Sequence, residues 1–345
     1  MFPDTPVHVR SQHDQQPGLR DDGPKEECGV FGVSTPHGEG IAQLAFFGLF
    51  ALQHRGQEAA GIAVSDGSRV RCHKDTGLVA NVFTPATMAT LTGYHAIGHT
   101  RYSTTGANAH RNHQPFLVET MHGPLAVAHN GNLVNAGALR EELLAKGFGL
   151  TATSDTEVLT LMLAAAGGKT WEDRIERTLP AWKGAYSLVL VVNDRVIAVR
   201  DPWGFRPMSV GRLPHGGYAV ASETCALNTL GCIEIDEVQP GEIVTLQGAE
   251  LTRRQALTPS ATPARCTLEF VYFSRPDSVW AGRTVHHVNE LYEKLEDLAQ
   301  AIAPMRPACF AGLLIKARAH QFAGNAAAII HEIEALAEAS KQEAA

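Results

Sequence analysis

The chain has 345 residues, of which 44% are hydrophobic, and a formal net charge of −7. This length can hold one large domain or two moderate ones with a real core. The acidic balance excludes the electrostatic footprint expected of a protein that binds nucleic acid or an anionic membrane. The most apolar stretches, 41–52 and 184–192, are far shorter than the ~20 residues of a membrane-spanning helix.

The cysteine pattern indicates a reducing environment. The six cysteines stand at positions 28, 72, 225, 232, 266 and 309. They form no C-x-x-C pair, and no secretion signal precedes them, so neither a zinc site nor a disulfide framework is expected. His110 and His113 have no acidic or cysteine companion nearby and predict no metal site. We therefore expect a cytoplasmic protein.

Residues 1–27 read as a disordered leader. The segment contains four prolines and almost no apolar periodicity, so it cannot bury enough surface to offset its ordering entropy. It also lacks the apolar core of a secretory signal. If the leader is removed, Cys28 becomes the first residue, and its thiol and a free α-amine then belong to the same residue.

From residue 29 onward, short strands alternate with helices. The segment 40–56 predicts a buried helix that ends near Gly56, and 154–166 predicts a helix capped by Ser154 or Asp155. A strand followed by a helix capped at Ser222 is expected over 216–231. Strands and hairpins are predicted at 28–34, at 61–75 with its turn at Asp66-Gly67, at 94–104, at 124–135, at 186–201 with its turn at Asn193-Asp194, and at 238–246. Hairpins that alternate with helices predict antiparallel sheets with helical cover, an α+β fold.

The composition and the apolar pattern of the sequence change after about residue 250. A proline-bearing linker at 257–266 is followed by two segments, 285–302 and 329–336, whose apolar residues recur at helical spacing. We read both as packing helices. The predicted domains are a leader at 1–27, a main domain at 28–260, and a linker with a helical tail at 261–345.

The chemistry of the main domain centres on Cys28. A cysteine nucleophile needs a base, an oxyanion hole and a means of holding its substrate. In AHNGNL, Asn130 and Gly131 follow an apolar strand. An Asn-Gly pair is often only a turn, but the Asn130 amide and the Gly131 N–H are also two adjacent donors that could converge on one oxygen.

Two charged residues suggest an amino-acid pocket. Arg101 ends a strand in GHTRYST, where a guanidinium can fork onto a carboxylate. Asp155 begins a helix in TSDTE; it could simply cap the helix, or it could bind an ammonium group. Together with a thiol and an oxyanion hole, these residues favour an α-amino acid with a side-chain acyl group, namely glutamine or asparagine.

The motifs in their order resemble the glutaminase half of the amidophosphoribosyltransferase family over roughly residues 25 to 280. The segments that carry the resemblance are ECGVFGV, ALQHRGQEAAGIA, GHTRYSTTG, QPF, HNGNL, TSDTE, GAYSLVLV, RDPWGFRPM, ASETCAL and EVQPGEIV. The resemblance implies a four-layer αββα sandwich of the N-terminal-nucleophile hydrolase class, with a propeptide removed after Glu27.

The resemblance also implies roles for individual residues. Cys28 would be the nucleophile and, through its freed α-amine, the general base, because an α-amino group titrates near ~8. Arg101 and Asp155 would hold the carboxylate and the amine of glutamine. Asn130 and Gly131 would stabilise the tetrahedral intermediate. By the same resemblance, Arg55 would lie near the nucleophile and help to close the glutamine site.

The second half of that family is a phosphoribosyltransferase domain, which uses phosphoribosyl pyrophosphate and Mg²⁺, and one branch also carries a 4Fe–4S cluster. Only about 65 residues follow residue 280 here, without a recognisable phosphate loop. Cys266 matches one cluster ligand, but a cluster needs four thiolates, so no cluster is expected. The resemblance implies a possible homo-oligomer, with glutamine as substrate and phosphoribosyl pyrophosphate used only if a transferase domain is supplied.

Two other readings remain open. The chain could be a non-catalytic remnant or regulatory subunit that binds a partner through its helical tail. It could also be a papain-like cysteine hydrolase that uses a histidine base such as His54 or His129.

Overall fold

The computed structural model describes residues 28–102, 110–262, 264–266, 268–290 and 294. The predicted leader and the predicted helix at 329–336 lie outside these residues. Of the predicted helix at 285–302, the described part over 285–290 is helical.

The described chain forms strands that build two large antiparallel sheets and helices that cover them. The strands are β1 (Gly29–Ser34), β2 (Ala59–Ser65), β3 (Val70–Thr76), β4 (His95–Arg101), β5 (Phe116–Thr120), β6 (Gly123–Leu133), β7 (Gly184–Val192), β8 (Arg195–Arg200), β9 (Ser209–Arg212), β10 (Tyr218–Ala221), β11 (Ile233–Glu237), β12 (Glu242–Gln247), β13 (Glu250–Gln255), β14 (Val279–Trp280) and β15 (Arg283–Thr284). The helices are α1 (Ile41–Ala51), α2 (Val79–Val82), α3 (Pro85–Thr90), α4 (Ala136–Ala145), α5 (Asp155–Ala165), α6 (Trp171–Thr178) and α7 (Thr224–Thr229).

The two large sheets pack face to face. The first has the strand order β11-β9-β10-β1-β4-β2-β3, and the second has the order β13-β12-β8-β7-β6-β5. A fully buried apolar cluster that includes Val30, Ile97, Ala128 and Val189 fills the space between them. Strands β14 and β15 form a separate small ribbon.

Helices cover the outer face of each sheet, so the layers follow the order α, β, β, α. Helices α1, α2 and α7 contribute to the apolar cluster on the first sheet, whereas α4, α5 and α6 contribute to the cluster on the second. The predicted α+β sandwich is therefore confirmed. Within the described residues, no helix is both long and apolar enough to cross a lipid bilayer.

Helix α1 is shorter than the sequence predicted. Its buried side includes Ile41, Ala45 and Leu49, which recur at the four-residue spacing of one helix face. It ends at Ala51 rather than near Gly56, and a 3₁₀ turn follows over Gln53–Arg55. The Gln53 side chain stabilises this turn because it donates to the Gly56 carbonyl at 2.6 Å and accepts from Val79 N at 2.7 Å.

The two predicted helix caps have different outcomes. Ser154 caps α5, where its hydroxyl accepts from Thr156 N at 3.2 Å. The cap predicted at Ser222 is wrong, because α7 begins at Thr224. The Ser222 hydroxyl instead accepts a hydrogen bond from Val30 N at 2.9 Å, so it joins β1 to the end of β10.

Candidate active site

Several polar side chains lie between the sheets at one end of the sandwich. In a strand, alternate residues share a face, and the inner face is marked by Val30, Ile97, Ala128 and Val189. Continuing these alternations places five residues at inward-facing positions near the same end: Cys28, His99, Arg101, Asn130 and Ser187. The apolar interior thus ends in a polar compartment that contains three of the predicted site residues.

Cys28 stands immediately before β1, at the edge of this compartment. The antiparallel register pairs Gly29 with Thr100, so Cys28 lies opposite the end of β4. Its thiol is partly buried and donates to the carbonyl of Tyr102 at 3.5 Å. Its backbone carbonyl accepts from Arg55 Nε at 3.1 Å.

Arg55 is fully buried, and its guanidinium joins two carboxylates. Nη1 donates to Glu223 at 2.7 Å and to Glu269 at 2.9 Å, while Nη2 donates to Glu269 at 2.8 Å. Arg206 adds a second cation to Glu269 at 3.1 Å. Since these bonds occupy most of the guanidinium donors, the structure places Arg55 where it holds the backbone of Cys28.

The carboxylates of this cluster are held in the ionised state. Burial of the Glu223 carboxyl favours the neutral form, but hydrogen bonds and charges from His54 and Arg55 outweigh it and lower the pKa to about 2. Burial of Glu269 is likewise outweighed by Arg55 and Arg206, which lower its pKa. Glu223 also accepts from Ser278 Oγ at 2.7 Å and from Arg275 N at 2.9 Å. The cluster therefore ties the segment after residue 266 to the Cys28 end of the sandwich.

Asn130 and Gly131 lie on β6, facing strand β7. Asn130 is fully buried, and among the described residues neither its Oδ1 nor its Nδ2 has a hydrogen-bond partner. Gly131 has a φ of 149°, and a Cβ there would clash with the carbonyl oxygen of Ala185. A buried amide without a partner is costly, and such cost is typical of a group arranged for a ligand rather than for the fold.

Arg101 and Asp155 approach the compartment from different layers. Arg101 ends β4, is 4% exposed, and donates through Nη1 to the carbonyl of Asn112 at 2.6 Å. Asp155 begins α5, and its Oδ2 accepts from Leu133 N, two residues beyond Gly131, at 3.0 Å. The Leu133 bond brings the start of α5 against the end of β6, next to the Asn-Gly pair.

The Asp155 carboxylate is stabilised as an anion. Burial alone would raise its pKa, but the adjacent His129 and hydrogen bonds from the Leu133 and Thr156 amides lower it overall. His129 Nδ1 lies 3.6 Å from Asp155 Oδ1, and the Asp155 side chain remains 17% exposed. A partly exposed, ionised carboxylate at this point can accept a substrate ammonium group.

Sequence reasoning missed other polar residues around the site. Ser187 is the cross-strand partner of Asn130, and its buried hydroxyl has no hydrogen-bond partner within the described part of the chain. His99 donates through Nε2 to the carbonyl of His129 at 3.3 Å. Burial, and then the charge of Arg101, hold the pKa of His99 well below its usual range. Ser187 sits in the apolar strand segment GAYSLVLV, and His99 sits in the polar segment GHTRYST, where no local pattern distinguishes it from its polar neighbours.

Three of the other described cysteines have thiols with raised pKa values. Burial raises the pKa of Cys72 to about 11 and that of Cys225 and Cys232 to about 12, so these thiols stay protonated and unreactive at neutral pH. Cys266 is partly buried. No three His, Cys, Asp or Glu side chains cluster to form a candidate metal site in the residues that the structure describes.

Both histidines named as alternative bases contact neighbouring polar side chains. His54 Nε2 lies 2.8 Å from Glu223 Oε1. His129 Nδ1 lies 3.4 Å from Thr156 Oγ1, and its backbone N–H donates to Gln114 Oε1 at 2.7 Å. Both rings are thus engaged with carboxylate or hydroxyl groups that support the loops around the site.

Comparison with known proteins gives consistent matches. A family model described as a glutamine amidotransferase domain matches residues 99–229. The amidophosphoribosyltransferase of Synechococcus elongatus is 45% identical over 294 residues, which cover 84% of this chain and 58% of that protein. The corresponding protein of Methanocaldococcus jannaschii is 42% identical over 284 residues, covering 78% of this chain and 60% of that protein.

A solved structure gives the same match in three dimensions. The glutamine phosphoribosylpyrophosphate amidotransferase from Bacillus subtilis, solved in complex with ADP and GMP, superposes with a TM-score of 0.73 at 39% identity. The match covers 79% of this chain and 58% of that one.

The fold and the matched residues define a glutamine amidotransferase domain of the N-terminal-nucleophile class. Within that class, the chain is a homologue of the amidophosphoribosyltransferases. It spans about 58% of the length of the Synechococcus relative.

Proposed function

We propose that the chain is the glutaminase part of an amidophosphoribosyltransferase, which hydrolyses glutamine to glutamate and ammonia through a Cys28 thioester. The observation that carries the proposal is the convergence of Cys28, Arg101 and Asn130 on one polar end of an otherwise apolar sandwich. A buried amide without a partner among the described residues, at the same end of the sandwich as a partly buried thiol, supplies the two elements that acyl transfer requires.

The proposed mechanism begins with removal of residues 1–27, which frees the α-amine of Cys28. That amine takes the thiol proton, and the thiolate attacks the side-chain carbonyl carbon of glutamine. The resulting oxyanion is stabilised by Asn130 Nδ2 and the Gly131 N–H. The tetrahedral intermediate then collapses as the protonated amine gives its proton to the departing nitrogen, so ammonia leaves and a thioester forms. The free α-amine then takes a proton from water as the water oxygen attacks the thioester carbon. The C–S bond breaks, the proton passes to the thiolate, and glutamate is released.

Substrate recognition follows from charge. Arg101 binds the α-carboxylate, and Asp155 binds the α-ammonium group of the same substrate. Arg55 closes this side of the site by fixing the Cys28 backbone through its bond to the carbonyl. The domain that performs this chemistry covers residues 28–260, followed by the linker and tail at 261–345.

The released ammonia serves purine biosynthesis in the cytoplasm, where it reacts with phosphoribosyl pyrophosphate to give 5-phosphoribosylamine. This step requires a transferase domain. Product formation from phosphoribosyl pyrophosphate, measured with glutamine and then with ammonia in its place, separates the two half-reactions.

The glutaminase proposal is tested by intact mass and glutamate release. We expect a mature chain that begins at Cys28, and turnover that is lost in Cys28→Ala. Cys72→Ala is the matched control, since burial keeps that thiol protonated, and it should retain turnover. An active chain that still begins at Met1, or turnover that survives Cys28→Ala, would refute the proposal.

A further inference from the structure

Asn112 connects the two charged residues of the amino-acid pocket. It is fully buried at the end of a 3₁₀ turn over His110–Asn112. Its backbone carbonyl accepts the bond from Arg101 Nη1 at 2.6 Å. Its side chain faces the loop before α5, where Oδ1 accepts from Thr153 N at 2.9 Å and Nδ2 donates to Thr153 Oγ1 at 3.0 Å.

Thr153 stands two residues before Asp155, so its position sets where α5 begins. The same loop is fixed from its other side by Glu157, whose carboxylate accepts from Thr151 N at 2.7 Å and from Ala152 N at 2.9 Å. Asn112 therefore supplies the connection from this loop to the first sheet. An asparagine suits the task because its amide offers one acceptor and two donors on a short side chain.

The segment that carries Asn112 is itself held in place. Lys74 Nζ donates to the carbonyls of His113 at 2.6 Å and Pro115 at 2.9 Å. Gln114 Oε1 accepts from His129 N at 2.7 Å. The segment is thus bonded to β3 and β6 as well as to Arg101, which makes it a rigid spacer rather than a loose loop.

The chemistry of an α-amino acid makes this spacing important. Its carboxylate and its ammonium group are attached to the same carbon, so the cation and the anion that bind them must keep a fixed separation. A displacement of about 1 Å in such a site can cost roughly a hundredfold in rate. We infer that Asn112 is a positioning residue that sets the distance between Arg101 and Asp155 and so determines the affinity for the α-amino-acid part of the substrate.

This inference rests on the proposed function, and its test separates binding from turnover. Two measurements are made on the purified mature protein. The first is the steady-state rate of glutamate release, and the second is the rate at which iodoacetamide alkylates Cys28, followed by peptide mass. L-Glutamate, which retains the α-carboxylate and the α-amine, should protect Cys28 from iodoacetamide at concentrations that report its affinity.

In Asn112→Ala we expect the KM for glutamine and the protecting concentration of L-glutamate both to rise about tenfold or more, with kcat changed by less than about threefold. The alkylation rate without amino acid should stay unchanged, because the thiol and its backbone contacts are untouched. Thr153→Val should give a smaller rise, and the double variant should be no worse than Asn112→Ala, because both remove the same connection.

Asn193→Ala is the matched control. This asparagine also joins two loops, through Nδ2 to the carbonyl of His122 at 3.2 Å, but it lies at the opposite end of β6 and should leave KM unchanged. A KM and a protecting concentration within about twofold of wild type in Asn112→Ala would overturn the inference. So would parallel losses of kcat and of ligand-free alkylation, which would indicate general disruption.

The two proposals fail in different ways. If the unaltered protein releases no glutamate but L-glutamate protects Cys28, the proposed function fails, while a shifted protecting concentration in Asn112→Ala still supports the inference. If the unaltered protein releases glutamate from glutamine and Asn112→Ala leaves the KM for glutamine within about twofold of wild type, the proposed function holds and the inference fails.

Discussion

The backbone carbonyl of Cys28 accepts a hydrogen bond from Nε of Arg55 at 3.1 Å. The same guanidinium is bonded to Glu223 and Glu269, which come 168 and 214 residues after it in the sequence. A single buried cation therefore fixes the position of the candidate nucleophile relative to α7 and to the segment after residue 266. Since the guanidinium and both carboxylates are buried, their mutual attraction is little screened by water or salt.

Removal of the Arg55 side chain should be strongly destabilising. Arg55→Ala leaves two buried carboxylates with too few partners, and we expect a loss of about 3–5 kcal/mol in the free energy of unfolding. Arg55→Lys keeps the charge but not the fork of donors, so its loss should be smaller. Urea denaturation measures both.

Arg254→Ala is the control for the Arg55 variants. Arg254 pairs with Glu176 and Asp173 on the surface and is 49% exposed, so its loss should stay within about 1 kcal/mol. If Arg55→Ala costs no more than this surface variant, the cluster does not stabilise the fold as described.

The hairpins and the layer order could be predicted from the sequence because their signals are local. Alternating apolar residues and the turn residues determine which strands pair. The observed register agrees at Asn193-Asp194, where Val192 pairs with Arg195. At Asp66-Gly67 the hairpin forms, but Ser65 pairs with Val70, so four residues rather than a tight pair connect the strands. The partners of Arg55 could not be predicted, since a buried ion pair between distant segments leaves no periodic pattern. The prediction that Ser222 caps a helix is wrong for a related reason, because the Ser222 hydroxyl accepts a hydrogen bond from Val30 N on another strand.

The candidate site also has parts that the sequence predicts and parts that it does not. Asn130, Gly131 and Asp155 could be named because each occurs in a short motif with a recognisable donor or acceptor chemistry. The connection through Asn112 depends on hydrogen bonds to Arg101 and Thr153, which are 11 and 41 positions away in the sequence, and short-range patterns do not encode such contacts.

Asn130→Ala should separate activity from stability. The Asn130 amide is fully buried without a hydrogen-bond partner among the described residues, so its loss should leave the free energy of unfolding unchanged or raise it by about 1 kcal/mol. If Nδ2 stabilises the oxyanion, kcat should fall by about 10²–10³ while KM changes little. Steady-state kinetics and thermal unfolding measure the two effects. A kcat within about threefold of wild type would remove Asn130 from the mechanism.

Gly131→Ala should damage the fold itself. Its φ of 149° and the clash of an added Cβ with the carbonyl of Ala185 predict a destabilisation of about 2–3 kcal/mol or more. Gly137→Ala provides the contrast, because nothing lies within 4 Å of a Cβ at that helical position. It should raise the free energy of unfolding by about 0.5–1 kcal/mol. Equal effects in the two variants would contradict the backbone geometry at Gly131.

Acid should destabilise the protein partly through His99. Burial and the charge of Arg101 lower the pKa of this imidazole in the folded chain, whereas an unfolded histidine titrates near ~6.5. Below that pH the unfolded chain binds a proton that the folded chain does not, so stability is complete above pH ~6.5 and falls as the pH decreases. The slope contributed by one such group is about 1.4 kcal/mol per pH unit.

His99→Gln tests this contribution because the amide nitrogen of glutamine can still donate to the carbonyl of His129, which His99 Nε2 contacts at 3.3 Å. The free energy of unfolding, measured by urea denaturation between pH 7.5 and 5, should depend less steeply on pH in the variant. The variant takes up one fewer proton on unfolding at low pH than the wild type does. The difference in the free energy of unfolding between the two proteins should therefore decrease by up to about 2 kcal/mol from pH 7.5 to pH 5, whatever its size at pH 7.5. If the free energy of unfolding had the same pH dependence in both proteins, the folded chain would protonate His99 over the same pH range as the unfolded chain. Below pH ~6.5 His99 would then place a second positive charge beside Arg101 at the substrate carboxylate.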